Sequence, residues 1–579
     1  MELLRKITNE QLNSLPLKAF EGEIIVVDTI EKVDSAVKYL SSFNKIGFDT
    51  ETRPSFRKGK INKVALLQLS TENKAFLFRT CKIGLPNNVA TLLANKKILK
   101  IGVAIRDDIK GLQKLSQFVP GGFVELQEFV KQYGIEVAGL KKLNGIVLGY
   151  RISKSKQLSN WEEVKLSHGQ LVYGATDAWS GLLIYNNLLT HKIHMNYKLL
   201  DQISKKYEEK YSGEFITVRA PGRINLIGEH TDYNEGFVLP TAVSSAMYFA
   251  IGKRNDDLVK IYSYDFKQEC EFTINQSDKP QNQWASYLFG VTKIIQEKGY
   301  KISGYNCVFG GDVPVGAGMS SSAALESGLV FAISQLNNLN INKIDMAKIG
   351  QQSEHEYVGV KCGIMDQFAS IFSMEGKCVR LDCRSLEYEY NKLEMNDYIF
   401  VLTDTKVKHS LASSEYNTRR KECSIGVEAI KENHPKIKSL RDVNLQMINE
   451  IKEKVSEKVF NRCKFVVEEN QRVIDACDKL NAGNLVEFGK LLYASHNGLS
   501  KMYEVSCKEL DFLVENTQNM DYVLGSRMMG GGFGGCTLSL IKADKLDEYK
   551  SIIAPAYKKE FNIDCKFYVA TAENGVELV

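Results

Sequence analysis

Twelve cysteines occur in this chain, yet none form a Cys-x-x-Cys pair or an evenly spaced set, and only Cys81 lies before residue 195. That excludes a zinc-ribbon pattern and a disulfide-stapled framework, so reduced thiols in a cytoplasmic protein are expected. The opening residues, MELLRKITNEQLNSLP, lack the apolar centre of a secretory signal. No apolar run is long enough to span a bilayer; the stretch 237–252 comes nearest and is too short and too polar. No membrane partner is expected. Internal repeats, low-complexity segments and Gly/Ser- or Pro-rich linkers are also missing.

What is present is length and an uneven charge. A chain of 579 residues exceeds what one core usually organises, so at least two domains are expected. The net charge is +5, but residues 1–194 hold 28 Lys and Arg against 18 Asp and Glu, a balance of +10, leaving −5 for the rest. The whole positive excess sits in the N-terminal third. A polyanionic partner there is one reading, and a solvated basic surface is the other. Apolar runs at 24–27, 46–48 and 64–69 alternate with a helical pattern at 33–40, which predicts a mixed α/β sheet domain. A helical stripe at Leu182, Leu183, Leu188 and Leu189 is followed by a second at Tyr197, Leu200, Ile203 and Tyr207. The joint at 191–195 between them is read as helix–turn–helix. Met195 stands at this joint, so the expected domains are 1–194 and 195–579.

Within the first domain, Asp49-Thr50-Glu51 follows a strand-like run, and alternate residues of a strand point the same way. Two converging carboxylates suit a divalent cation. Asp107-Asp108 follows a strand and a tight turn, and Tyr173 and Asp177 are spaced i, i+4 on one helical face. Together, Asp49-x-Glu51, Asp108 and the segment LSHGQLVYGATDAW resemble the DEDDy 3′–5′ exonucleases, the group of RNase D and the Werner-type exonuclease domain. The resemblance implies an RNase H-like α/β fold and two Mg²⁺ or Mn²⁺ ions. Asp49, Glu51 and Asp177 would hold one ion, and Asp49 and, through water, Asp108 the other. Tyr173 would orient the attacking water of a phosphodiester hydrolysis on single-stranded nucleic acid. Asp107 is the fallback for Asp108, and Gly174 stands where the family often has Ala.

The second region opens with RAPGRINLIGEHTDY at 219–233, dense in groups able to pair with sugar hydroxyls. At 310–322, GGDVPVGAGMSSS opens a helix expected from Ala323, and its glycines let backbone N–H groups approach phosphate. No Gly-Lys-Ser/Thr follows, which excludes a Walker A loop. With CGIMDQ at 362–367, HSLASSEYNTRR at 409–420 and GSRMMGGGFGGC at 525–536, these segments resemble the galactokinases of the GHMP sugar-kinase family, over about two thirds of the chain.

The resemblance implies a two-lobed α+β kinase, with lobes at about 195–375 and 376–579, ATP and galactose as substrates, and Mg²⁺. It implies Arg223 and Asp366 as the catalytic pair, and Glu229, His230, Asp232, Gly363, Asp366 and Tyr416 on the sugar. Gly316, Ala317, Gly318, Ser320, Ser321 and Ser322 would cradle ATP, Trp284 would lie near adenine with Tyr287, and Ser321 with Glu354 would hold Mg²⁺. The undeleted Ser-Ser-Ser-Ala-Ala run argues against a galactose sensor. The expected whole is a bifunctional enzyme. Two other readings are a galactokinase carrying an inactive nucleic-acid-binding domain, and a galactose-responsive regulator. The oligomeric state is left open, a monomeric kinase half being compatible with the sequence.

Overall fold

The computed structural model describes residues 3–54, 62–137, 139–189, 195–314, 316–408 and 412–579. The chain divides into two compact units, Met1–Lys198 and Leu199–Val579. The joint expected to be helix–turn–helix falls largely at 190–194, outside the described residues. Among the described residues no helix is long and apolar enough to cross a membrane.

The first unit is built on a six-stranded sheet: β1 (Glu23–Val27), β2 (Lys45–Thr52), β3 (Val64–Ser70), β4 (Lys74–Phe78), β5 (Leu99–Gly102) and β6 (Phe123–Glu125). Their spatial order is β1-β4-β3-β2-β5-β6. β3 runs antiparallel to β2 and β4, whereas β1/β4, β2/β5 and β5/β6 are parallel. VALLQLS of β3 is buried along its whole length, as a central strand covered on both faces requires. Two helices matter for the site. α1 (Ile105–Gln113) follows β5, and α2 (His168–Leu189) packs on β2 and β3. α2 begins fourteen residues before the leucine stripe, because its first half carries small and polar residues. It lies close to β2: a Cβ on Gly47 would stand 1.9 Å from the Ala178 carbonyl oxygen. Glycine at 47 is therefore what lets the strand of Asp49 approach the helix of Asp177.

In the second unit a six-stranded sheet has the order β11-β10-β12-β9-β7-β19. Its strands are β7 (Ile216–Asn225), β9 (Pro240–Lys253), β10 (Leu258–Ser263), β11 (Gln268–Thr273), β12 (Tyr305–Gly311) and β19 (Glu577–Leu578). A small sheet β14-β13-β8 joins β8 (Phe237–Val238), β13 (Lys377–Asp382) and β14 (Tyr388–Lys392). The antiparallel sheet β16-β17-β15-β18 is made of β15 (Tyr398–Lys408), β16 (Val523–Met529), β17 (Gly534–Lys542) and β18 (Lys566–Ala570). α3 (Ser321–Leu336), α4 (Lys343–Ser353) and α5 (Met365–Phe372) pack against one another, and α3 and α5 also pack on β7 and β9. α6 (Ala412–Lys431) and α7 (Glu457–Asn481) pack together in the later part of the unit. α3 starts at Ser321, two residues before the expected Ala323.

Candidate active sites of the two units

In the first unit β2 presents Asp49 and Glu51 on the side where α2 presents Asp177. One carboxylate oxygen from each of these three lies within 4.8 Å of the others. Among the described residues Oδ1 of Asp177 is buried without a hydrogen-bond partner. Burial pushes all of these acids up, Glu51 to about 8; neighbouring carboxylates add to the rise of Asp49 and Glu51, whereas Lys154 and Tyr173 oppose that of Asp177. Three desolvated acids sharing one point with an unpaired oxygen fit a hard divalent cation bound through oxygen.

Of the two adjacent acids, Asp107 points outward, with its side chain 90% exposed and paired with Lys110. Asp108 accepts a hydrogen bond from the Thr50 hydroxyl and is raised to about 6, mainly by burial. It stands beside the three-carboxylate cluster and outside it. Its helix is fixed by Glu125, whose carboxylate accepts from the N–H groups of Ala104 (2.9 Å), Ile105 (2.8 Å) and Gln127 (3.1 Å). Ala104 is left-handed at φ 59°, and this acid caps the turn that its strain creates.

Lys154 was not singled out by the sequence reading. Its Nζ lies 2.8 Å from Asp177 Oδ2 and 3.3 Å from the Tyr173 hydroxyl. One lysine among 75 basic residues carries no local pattern. Tyr173 is buried against Trp161, and burial beside Asp177 raises its pKa strongly. Gly174 is not forced by its surroundings: a Cβ there would meet Gln68 and Leu66 at 3.4 Å, an ordinary contact.

The raised carboxyls give a pH dependence whose sign is fixed. A folded-state pKa above the unfolded value means that the folded unit holds protons the unfolded chain has released. Stability of the first unit therefore falls as pH rises from about 4 through Asp108 near 6 to Glu51 near 8. A divalent cation binds the deprotonated cluster, so its stabilisation is larger at pH 8 than at pH 6. Thermal melting of the full chain with and without Mn²⁺ at both values checks this, and an equal shift at both would refute it.

The second unit gathers its polar residues around a cavity of about 340 Å³. Arg223, Glu229, His230, Asp232, Gly363, Asp366 and Tyr416 all line it, with Gly530–Gly532 from the third glycine segment. Arg223 lies within the buried run of β7 and donates from Nε to Asp366 Oδ1 at 2.8 Å, while its Nη1 donates to the Gly318 carbonyl. The Ser320 hydroxyl donates to the other oxygen of Asp366. Asp366 is thus held at both oxygens.

Glu229 is fixed by fully buried Arg527, at 3.0 Å, and by the Gly530 N–H at 2.9 Å. Arg527 lies some three hundred residues away in sequence, which is why the sequence did not reveal it. His230 is kept neutral, with burial pushing its pKa down to about 3. Its Nδ1 meets the Tyr233 hydroxyl at 2.9 Å, which in turn meets Tyr503 at 2.7 Å. Asp232 is raised to about 6 by burial, with Asp366 and Glu229 adding to the rise. Its carboxylate fills the place where residue 363 would carry a Cβ, 1.9 Å from Oδ2. Gly363→Ala must displace Asp232, so the KM of the substrate held in this cavity should rise at least tenfold, about 1.4 kcal/mol. Steady-state kinetics reads it; an unchanged KM would remove Asp232 from the binding site.

Gly316 and Gly318 have φ of 79° and 75°, and Ser320 is left-handed at 52° just before α3. Gly530 lies against Gly318. Ala317 and Met319 turn into the core. The serines then diverge. Ser320 turns to Asp366, while the Ser322 hydroxyl stands close enough to Glu354 to oppose the rise of its pKa. Glu354 is nearly buried, which raises its pKa, and it also accepts from Cys362 Sγ and Gln367 Nε2. An acidic oxygen beside hydroxyls at a helix start fits Mg²⁺ shared with phosphate. Trp284 bonds Gln268 Oε1 at 3.0 Å and packs on Phe309; neither it nor Tyr287 lines this cavity.

Family profiles match both units. A 3′–5′ exonuclease profile matches residues 24–192. A galactokinase galactose-binding signature matches 205–253, and the N-terminal and C-terminal domains of GHMP kinases match 286–374 and 474–558. Galactokinase of Thermotoga petrophila is 40% identical over 364 residues, covering 63% of this chain and all of that protein. Galactokinase of Clostridium perfringens strain SM101 is 41% identical over 361 residues, 62% of this chain and 93% of that protein. Lactococcus lactis galactokinase, solved with galactose, superposes with a TM-score of 0.64 at 34% identity, covering 66% of this chain and all of that one.

Proposed function

The chain belongs to the galactokinase family of GHMP kinases over its C-terminal two thirds, and from that premise we propose two catalytic sites on one polypeptide. The second unit transfers the γ-phosphoryl group of ATP to the anomeric hydroxyl of galactose. The observation that carries this is the Arg223–Asp366 pair standing in one cavity with Glu229, His230, Asp232 and Tyr416.

Glu229, His230 as a neutral imidazole, Asp232 and Tyr416 bind and orient the sugar hydroxyls. Asp366 orients the attacking hydroxyl and receives its proton, and Arg223 places positive charge where the transferring phosphoryl group gathers negative charge. The loop of Gly316, Ala317, Gly318 and the serines 320–322 offers backbone N–H groups and hydroxyls to the ATP phosphates, with Trp284 toward adenine. Glu354 with Ser321 or Ser322 would hold Mg²⁺, which supplies charge neutralisation between the phosphates.

The first unit is a 3′–5′ exonuclease domain. We assign it hydrolysis of single-stranded nucleic acid from the 3′ end, carried by the convergence of Asp49, Glu51 and Asp177. These three, with Asp108 beside them, would hold Mg²⁺ or Mn²⁺ ions that supply an activated water and stabilise the leaving oxygen. Tyr173 orients the water, and Lys154 holds Tyr173 and Asp177 in register. The domains are assigned as 1–194 and 195–579.

The test incubates the full chain with 5′-labelled single-stranded RNA and DNA in Mg²⁺ or Mn²⁺, and in parallel with galactose and ATP. Stepwise 3′ shortening and formation of galactose 1-phosphate are expected; no shortening with either metal would leave the first unit a binding domain.

A further inference from the structure

Three helices of the kinase unit meet at one buried amide. α3 brings Glu326, α5 brings Gln367, and Glu354 opens the π-helical turn Glu354–Val358 that continues α4. Glu326 and Gln367 have no exposed surface, and Glu354 is 7% exposed. Gln367 Nε2 donates to Glu326 Oε2 at 3.0 Å and to Glu354 Oε2 at 2.9 Å. A primary amide has two N–H donors, so this one side chain ties two carboxylates together and has no donor left. Gly350, one turn before Glu354 on α4, makes room for it: a Cβ there would stand 3.0 Å from Gln367 Cγ.

Glu326 does not line the sugar cavity. Its Oε1 is buried and has no hydrogen-bond partner among the described residues. A carboxylic side chain removed from water with one oxygen unpaired costs stability, and an aliphatic side chain of similar size would fill the space at less cost. Packing alone therefore does not account for the acid. Its placement does. Gln367 joins Glu326 of α3 to Glu354, so α3 holds the Glu354 carboxylate through this one amide. Gln367 also directly follows Asp366, so the same clamp fixes the helix start that carries the residue facing the sugar hydroxyl.

We propose that Glu326 is a positioning residue for the kinase's divalent cation, acting through Gln367 to fix the orientation of the Glu354 carboxylate. The proposal rests on Glu354 being a cation ligand. Second-layer partners of metal ligands typically change metal affinity by about 10- to 100-fold when removed.

The experiment titrates ADP into the full-length protein by calorimetry at a series of Mg²⁺ concentrations, so that the metal sites of the first unit do not enter the signal. Glu326→Leu should raise the Mg²⁺ concentration that half-enhances ADP affinity by about tenfold, with ADP affinity without Mg²⁺ and galactose affinity unchanged. Glu326→Gln keeps an acceptor for Gln367 and should stay within about twofold of the parent. Gln367→Met should reproduce the Glu326→Leu shift, and the two changes together should add nothing further. If Glu326→Leu does not fold, Gln367→Met and Glu326→Gln still decide the matter. A parental Mg²⁺ profile in Gln367→Met or Glu326→Leu, or a loss of ADP affinity equal at every Mg²⁺ concentration, overturns the proposal. Glu354→Gln separates the premise: if it leaves the Mg²⁺ profile unchanged, Glu354 is not a ligand and the failure lies there.

Discussion

Asp366→Asn lowers kcat for galactose phosphorylation by about 10³-fold and moves the galactose KM far less. Asparagine has the same shape and keeps an acceptor for the Arg223 Nε and a partner for Ser320. What it loses is the negative charge and the ability to take a proton from the attacking hydroxyl. The sugar remains held by Glu229, His230, Asp232 and Tyr416, so ground-state binding persists while the reacting hydroxyl goes unassisted. Initial rates over a galactose series separate the two parameters. A kcat within tenfold of the parent would place Asp366 outside the reacting centre, and the 3′ shortening of nucleic acid should be the same in both proteins.

Asp49→Asn has the opposite balance of effects. It should abolish 3′ shortening of 5′-labelled RNA and DNA, a loss of at least about 10³-fold for a ligand shared by the metal site. Galactose phosphorylation should be untouched. In the absence of divalent cations the same change should raise the melting temperature of the first unit by several degrees. Asp49 is half-buried and is pushed up by desolvation and by Asp177, Asp108 and Glu51, so a neutral isostere removes an uncompensated charge. Its Oδ1 can still accept from the Thr50 N–H, at 2.9 Å in the parent. Mn²⁺ should then stabilise the parent and leave the variant unmoved. A variant that melts lower without metal would show that the acids are not in conflict and that the cluster is held by shared protons. Gain of stability with loss of activity is the signature of a site kept for function.

Much of both sites was legible because the chemistry sits in short, dense segments. Strand alternation put Asp49 and Glu51 on one side, and helix spacing put Tyr173 with Asp177. The run from Arg219 to Tyr233 supplied Arg223, Glu229, His230 and Asp232 within ten residues of one another. The groups that went unseen act across long sequence distances. Lys154 reaches Asp177 from a loop, Arg527 locks Glu229 from β16, and Glu326 reaches Glu354 only through Gln367. Each is a single polar residue with no periodicity, so composition and spacing carry no trace of its partner.

The sequence by itself determined the two chemistries, because residue type and local order set which groups can bind a cation, a phosphate or a sugar hydroxyl. Only the tertiary structure decided which group does what. It turned inward the Asp108 that the resemblance already preferred, left Asp107 outward, and brought Ser320 to Asp366. Those outcomes follow from where a left-handed residue starts each helix, Ala104 before α1 and Ser320 before α3. A start shifted by one residue turns every side chain of the helix by about 100°, and packing against the sheet, rather than local preference, chooses that start.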